Sequence, residues 1–374
     1  MIYLDNAATG GFKPRAVSDA ANTVIRYLSA NPGRSGHRLS VSGAEIVFNC
    51  RKLMAEFFGA TPERVIFTKN CTEALNTAIF GTLKKGGHVI TTVFEHNSVL
   101  RPLHFLKAQG LIELDIISPI QGVPLELAIK KAIKQNTYLV VTTAVSNVTG
   151  KTLPIDRIGK LCNSHKLLYL VDGAQAGGHI SLDISKQKIS MLCLAGHKGL
   201  MGVMGSGALI FNEQTEISPM IMGGTGSESF NLLQPECYPE KLESGTLNLP
   251  AIASLYEGVR IVKENLDTYS NLLEQNTQKI INGLKEISGV QCYSTANRSG
   301  IVAFETKTLP SEDFASALNF EYDIAVRGGF HCAPLTHKFL GTAENGLVRV
   351  SLSVQNSTRE IYYFLNAVKS LCQN

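Results

Sequence analysis

The stretch that most constrains this chain runs from residue 167 to residue 211: LLYLVDGAQAGG, a spacer, then LCLAGHKGLMGVMGSGALIF. A short apolar run bounded by polar residues reads as a buried strand. Residues 167–171 therefore form a strand that delivers Asp172 to its C-terminal end. Residues 191–194 form a second strand that empties into Gly196-His197-Lys198-Gly199, where the glycines permit a sharp turn and leave the lysine amine reachable. An acid and an amine thus sit on adjacent strand ends. In an open α/β sheet, ligands bind in the crevice beyond such ends.

The same pattern recurs along the chain. Strand-like runs at 65–68, 88–93, 111–117, 138–143, 190–194 and 208–211 alternate with helical spacing, which predicts an α/β layer with a largely parallel sheet. Helical spacing over 45–58 stops at Gly59, and another helix begins near Ala74. After Pro250 the texture changes: residues 251–287 are helical in pattern throughout and bridge to a second domain. Beyond them the sequence predicts an edge-like strand at 300–305, a helix near 312–318, a loop at 327–334, a strand at 347–352 and a closing helix from Thr358. A net charge of +4 without basic blocks gives no case for nucleic acid or an anionic membrane. No apolar run approaches the roughly 18 residues needed to span a bilayer, and MIYLDNAATG lacks a basic leader, so a cytoplasmic location is expected. The eight cysteines include no CxxC pair, which argues for reduced thiols over a disulfide framework.

Lys198 and Asp172 suit pyridoxal phosphate: a lysine forms a Schiff base with its aldehyde, and an acid keeps its ring nitrogen protonated. An isolated pair of this kind is equally a loop lysine and a helix cap, so other residues carry weight. Asn70-Cys71-Thr72-Glu73 stands at a strand-to-helix junction, which is either an anion site or a plain N-cap with Glu at its third position. His96, in Phe94-Glu95-His96-Asn97, reaches the same rim, where it is able to lie on a planar ring or move a proton. Asn147, in Ser146-Asn147-Val148-Thr149-Gly150, and Gln175 offer amide donors towards a phenolate oxygen. In Arg327-Gly328-Gly329-Phe330-His331-Cys332-Ala333-Pro334 a cysteine sits beside a histidine in a flexible loop, a setting for a reactive thiol or for a buried structural one. A metal site from His331, Cys332 and His337 has irregular spacing and no fourth ligand, so no metal is expected. Arg349, alone in an apolar strand, answers a carboxylate: an internal aspartate or an amino-acid substrate.

Taken in order, YLDNAATG, NPGRSGHRLS, the threonine-glutamate turn, the EH pair, SNVTG, VDGAQA, GHKGLMG, ESGTLN and RGGFHCAP resemble the class V aminotransferase-like branch of fold-type I pyridoxal-phosphate enzymes, and specifically the cysteine desulfurases and selenocysteine lyases. The resemblance covers nearly the whole chain. It implies a large domain over 14–255 with a mostly parallel mixed seven-stranded sheet, and a smaller α+β domain from 1–13 and 256–374. It further implies that Lys198 carries pyridoxal 5'-phosphate, that Asp172 pairs with the ring nitrogen and that His96 stacks on the ring. Asn147 and Gln175 would address the ring oxygen. Cys71, Thr72 and His197 would hold the phosphate, helped by Gly245-Thr246 from a second subunit of a homodimer. Arg349, with Asn147, would bind the substrate carboxylate, and Cys332 would be the nucleophile. The implied substrate is L-cysteine or L-selenocysteine, with alanine as product and a sulfur or selenium acceptor protein downstream. Transamination, racemisation and β-elimination are the alternatives within the class. The short spacing from Cys332 to Arg349 is closer to Suf-type than to Isc-type members. Ala195, Gly33 and Phe330 depart from the polar residues common at those positions.

Overall fold

A computed structural model describes residues 1–33 and 35–373, so Arg34 of the NPGRSGHRLS motif lies outside the described residues. Residues 65–211 build one seven-stranded sheet from β2 (Val65–Thr68), β3 (Gly87–Thr92), β4 (Ile112–Ile117), β5 (Thr137–Thr143), β6 (Leu168–Asp172), β7 (Met191–Ala195) and β8 (Gly207–Phe211), while β1 (Ile2–Tyr3) lies elsewhere. The order is β2-β8-β7-β6-β5-β3-β4. All neighbouring pairs are parallel except the two made by β8. Strand residues alternate between two cores: Ile90, Val140, Val171, Leu192 and Ile210 enter one, and Val89, Val141, Leu170, Cys193 and Leu209 the other. Burial on both faces explains why the strands read as continuous apolar runs.

Helices α1 (Arg15–Tyr27), α2 (Arg38–Phe58), α3 (Cys71–Gly81), α4 (Asn97–Ala108), α5 (Leu125–Ala132) and α6 (Ile155–Ser164) accompany this sheet. The expected stop of α2 at Gly59 is a left-handed C-cap (φ 73°), the conformation glycine tolerates best. Helix α3 starts at Cys71, three residues before the position predicted, because Asn70 caps it by accepting from the Glu73 amide at 2.9 Å. Residues 212–248 carry no helix or strand. The long α7 (Leu249–Lys285) follows, with α1 and α2 packed on it.

A separate core gathers Leu4, Leu273, Phe304, Phe314, Val350 and Phe364. It is built on the C-terminal half of α7 with β9 (Val290–Cys292), β10 (Ile301–Thr306), β11 (Ile324–Ala325), β12 (Val348–Ser351), α8 (Ser311–Tyr322) and α10 (Thr358–Gln373), while the short α9 (Pro334–Leu340) follows the 327–334 loop. The strand predicted as edge-like at 300–305 is instead central: β10 lies between β12 and β9, both antiparallel to it. Its IVAF run is buried throughout, which suits a middle strand. The N-terminal β1 pairs with β11 in parallel.

The irregular 212–248 segment is pinned to edge strand β2 by Glu243. Its carboxylate pairs with Arg51 (Nη2 to Oε2, 2.8 Å) and accepts the Phe67 amide at 2.6 Å, with both side chains under 10% exposed. Removing one partner strands a buried charge. Glu243→Ala is expected to cost about 3–5 kcal/mol of stability, measured by urea unfolding; a loss below about 1 kcal/mol would show the pair is not a pin.

Candidate active site

Parallel register places the C-terminal ends of β3, β5, β6 and β7 on one rim, with Thr143 opposite Asp172 and Asp172 opposite Cys193. Asp172 is 3% exposed. Its Oδ1 accepts the Ala174 amide at 2.9 Å and the Cys71 thiol at 3.5 Å. Among the described residues, Oδ2 takes no hydrogen bond.

Lys198 follows β7 through Gly196, where a Cβ would stand 2.3 Å from Ser206 Oγ, so only glycine fits the turn. Among the described residues the Lys198 amine has no hydrogen bond or ion pair. Burial holds it below the ordinary lysine range, and the carboxylate of Asp172 works in the opposite direction. An unpaired amine with a depressed pKa, beside a buried acid, is equipped for proton transfer and covalent chemistry.

Around this pair the rim carries its other polar groups. His96 caps α4: its Nδ1 accepts the Ser98 amide at 3.0 Å, which leaves the ring proton on Nε2. Burial pushes its pKa down to about 4 despite Asp172, so the ring is neutral. His197 is held at Nδ1 by Thr9 Oγ1 (3.0 Å), and its carbonyl accepts Lys13 Nζ (2.8 Å) and the Gly10 amide (3.0 Å). Burial, with Lys198 nearby, pushes His197 down to about 4. Gln175 Nε2 donates to Ala7 O at 2.9 Å and Asn147 Nδ2 to His331 O at 2.7 Å, so each amide group has one hydrogen bond to backbone and keeps a second N–H. At the start of α3 the N-cap reading holds. The helix start is capped, with Glu73 also taking the Lys69 amide at 2.5 Å, and the amides of Cys71 and Thr72 have no acceptor among the described residues. Thr72 is exposed.

Cys332 is exposed on the loop before α9, so the structural-thiol alternative falls away. Arg327 Nη2 lies 3.8 Å from its sulfur. Both His331 (φ 49°) and Cys332 (φ 57°) are left-handed, a conformation that costs a non-glycine residue of order 1–3 kcal/mol. The pair is held by Asn147 on the His331 carbonyl and by the Asn97 amide on the Cys332 carbonyl at 2.8 Å. His331 is buried and donates Nε2–H to Leu347 O (3.0 Å). No group of three or more metal-ligating side chains occurs among the described residues. Arg349 answers an internal aspartate: Nη2 pairs with Asp5 Oδ1 at 2.8 Å, and Nη1 donates to Asn147 O at 3.0 Å. Thr246 is exposed, its hydroxyl accepts from Asn31 at 3.4 Å, and it lines a cavity with Lys69 and Glu73 beside the start of α3.

Residues 2–364 match the family model described as aminotransferase class-V. The chain belongs to the class-V aminotransferase family. A protein of Pyrococcus abyssi named probable cysteine desulfurase is 32% identical, over 100% of this chain and 95% of that protein. A protein of Proteus mirabilis named cysteine desulfurase IscS is 30% identical, over 99% and 92%. The solved apo structure of a cysteine desulfurase from Thermococcus onnurineus superimposes with a TM-score of 0.93 at 32% identity, covering 100% of this chain and 94% of that one. The sheet order found here is the family's fold-type I architecture, as the sequence motifs implied. No helix among the described residues is long and apolar enough to cross a membrane.

Sequence reasoning passed over Asp5, Thr9, Lys13 and Arg327, which reach the rim across large sequence separations, and Glu95, whose burial nothing local announces. Glu95 is fully buried, accepts the Thr92 hydroxyl at 2.6 Å, and is raised to about 8 by burial. The folded carboxyl therefore keeps its proton up to about pH 8, whereas the unfolded one loses it near the ordinary glutamate value of 4.5. Stability from this group is fully present below pH 4.5 and is lost as pH rises through about 8. Glu95→Gln, which cannot titrate, is expected to gain on the parent across that window by up to about 1.4 kcal/mol per pH unit. Urea unfolding at pH 5, 7 and 9 measures it, and a flat difference would place the carboxyl in an ordinary environment.

Proposed function

We propose that this chain is a pyridoxal-phosphate-dependent cysteine desulfurase that moves the sulfur of L-cysteine onto Cys332 and releases L-alanine. The observation that carries the proposal is the meeting at one rim of an unpaired, half-buried amine, a buried carboxylate and an exposed thiol beside a guanidinium. The names of the relatives point the same way. On this proposal residues 14–255 form the cofactor domain, and residues 1–13 with 256–374 form the smaller domain that brings Cys332 and Arg349.

The residues present fit the cofactor. The free amides of Cys71 and Thr72 at the start of α3 suit a phosphate, and the unengaged Oδ2 of Asp172 suits a protonated ring nitrogen. Lys198 supplies the attachment amine and His96 a neutral ring to cover one face. The second amide hydrogens of Asn147 and Gln175 suit the ring oxygen, with His197 beside the phosphate and Thr246 offered to a second copy of the chain. Pyridoxal phosphate, when bound, supplies an aldehyde for the substrate amine and a ring that accepts electrons.

Arg349 orients the substrate by its carboxylate, with Asn147 alongside. Lys198 Nζ, whose pKa burial lowers, takes the proton from the substrate Cα. Cys332 Sγ, as thiolate steadied by Arg327, attacks the substrate sulfur. The S–S bond forms and the Cβ–S bond breaks, with its electron pair left on carbon. A proton passed through His96 then completes the methyl group, and Lys198 returns to Cα the proton it took, which gives alanine. Cys332 is left as a persulfide, ready for a thiol acceptor. L-selenocysteine is the second candidate substrate, since the same groups serve selenium.

Alanine release from L-cysteine and, separately, from L-selenocysteine in the presence of a reductant tests the assignment. Cys332→Ala is expected to lower release from L-cysteine by at least about 100-fold, while borohydride reduction still attaches the cofactor at Lys198. Full alanine release by Cys332→Ala, or attachment at another lysine, overturns the proposal.

A further inference from the structure

Arg349 is 1% exposed and cannot turn to water, so in the absence of substrate its charge has to be answered from within. Among the described residues the only acidic side chain in contact with it is Asp5. Asp5 is delivered by backbone rather than by chance: Ser351 N donates to Leu4 O at 2.7 Å, Asn6 N to Ser351 O at 3.2 Å, and Ala7 N to Ser351 Oγ at 2.9 Å. These bonds hold the residues on both sides of Asp5 against the strand that bears Arg349.

The pair is nevertheless incomplete. A satisfied arginine–carboxylate pair makes two parallel hydrogen bonds, but here Asp5 makes one, to Nη2. Arg349 Nε is buried without a partner, while Nη1 is taken by Asn147 O. One edge of the fork is therefore half filled, and the acid filling it is 21% exposed and within reach of a ligand. Arg327 and Lys198 add positive charge nearby and Cys332 adds a potential negative one.

We infer that Asp5 is a placeholder for the substrate carboxylate: it neutralises Arg349 between turnovers, and it weakens the hold on the product carboxylate so that alanine leaves. This rests on the assignment of Arg349 as the carboxylate site. An entering carboxylate takes the free Nε–H and shares or displaces Asp5 at Nη2. Two carboxylates on one guanidinium repel, so Asp5 lowers the affinity for both substrate and product.

The test is the dissociation constant of two ligands on the cofactor-loaded protein. L-alanine reports the whole product, and propionate reports the carboxylate contact alone, because it has no amine. Asp5→Asn is expected to bind both about tenfold more tightly than the parent, and Asp5→Glu, which keeps the charge, within threefold of it. Under single-turnover and steady-state conditions Asp5→Asn is expected to lower KM for L-cysteine and to slow alanine release. Unchanged or weaker binding of propionate by Asp5→Asn overturns the inference, as does equal tightening by Asp5→Glu. Should Asp5→Asn lack a cooperative melt, Asp5→Ser is measured in its place with the same expected tightening. Arg349→Lys separates the two claims. If it binds propionate like the parent, the assignment of Arg349 fails. If it loses propionate and Asp5→Asn shows no tightening, only the placeholder role fails.

Discussion

Burial of the parallel strands on both faces is the constraint from which the site follows. Strands β5, β6 and β7 admit apolar side chains along most of their length because helices and core cover both sides of the sheet. Polar residues are tolerated where the strands end. Parallel direction then brings those ends to one rim, and Asp172 and Lys198 become neighbours although their strands are separated by a spacer. The low dielectric that makes the sheet stable also depresses the Lys198 amine and keeps His96 neutral. Fold and reactivity share one physical cause.

What could be read from the sequence was whatever a strand end or a turn encodes locally. The strands around Asp172 and Lys198, the glycine turn at Gly196 and the stop of α2 at Gly59 are all written in adjacent residues. Features set by distant segments left no local trace. The IVAF run of β10 looks the same whether its strand lies at an edge or in the middle, and only the pairing with β9 and β12 decides. Glu95 reads as a polar residue in a loop, yet the strand ends around it close it off from water. Arg349 announced a missing carboxylate without saying which, and its partner Asp5 lies near the other end of the chain.

The N-terminal segment is consequently more than an overhang. Tyr3 and Leu4 join the C-terminal sheets, Ala7 O takes Gln175 beside Asp172, and Thr9, Gly10 and Lys13 hold His197 beside Lys198. A single short strap thereby contacts the turns that follow β6 and β7 and also the strand bearing Arg349. Such a strap converts the relative placement of the two cores into the relative placement of Asp172, Lys198 and Arg349.

The two left-handed residues of the 327–334 loop have a mechanical consequence. The amide that grips the Cys332 carbonyl belongs to Asn97, the residue next to His96 and the first of helix α4. Histidine and thiol therefore hang from one rigid rod end: a displacement of α4 along its axis carries both together, and the spacing between imidazole and sulfur is preserved even when the surrounding loop breathes.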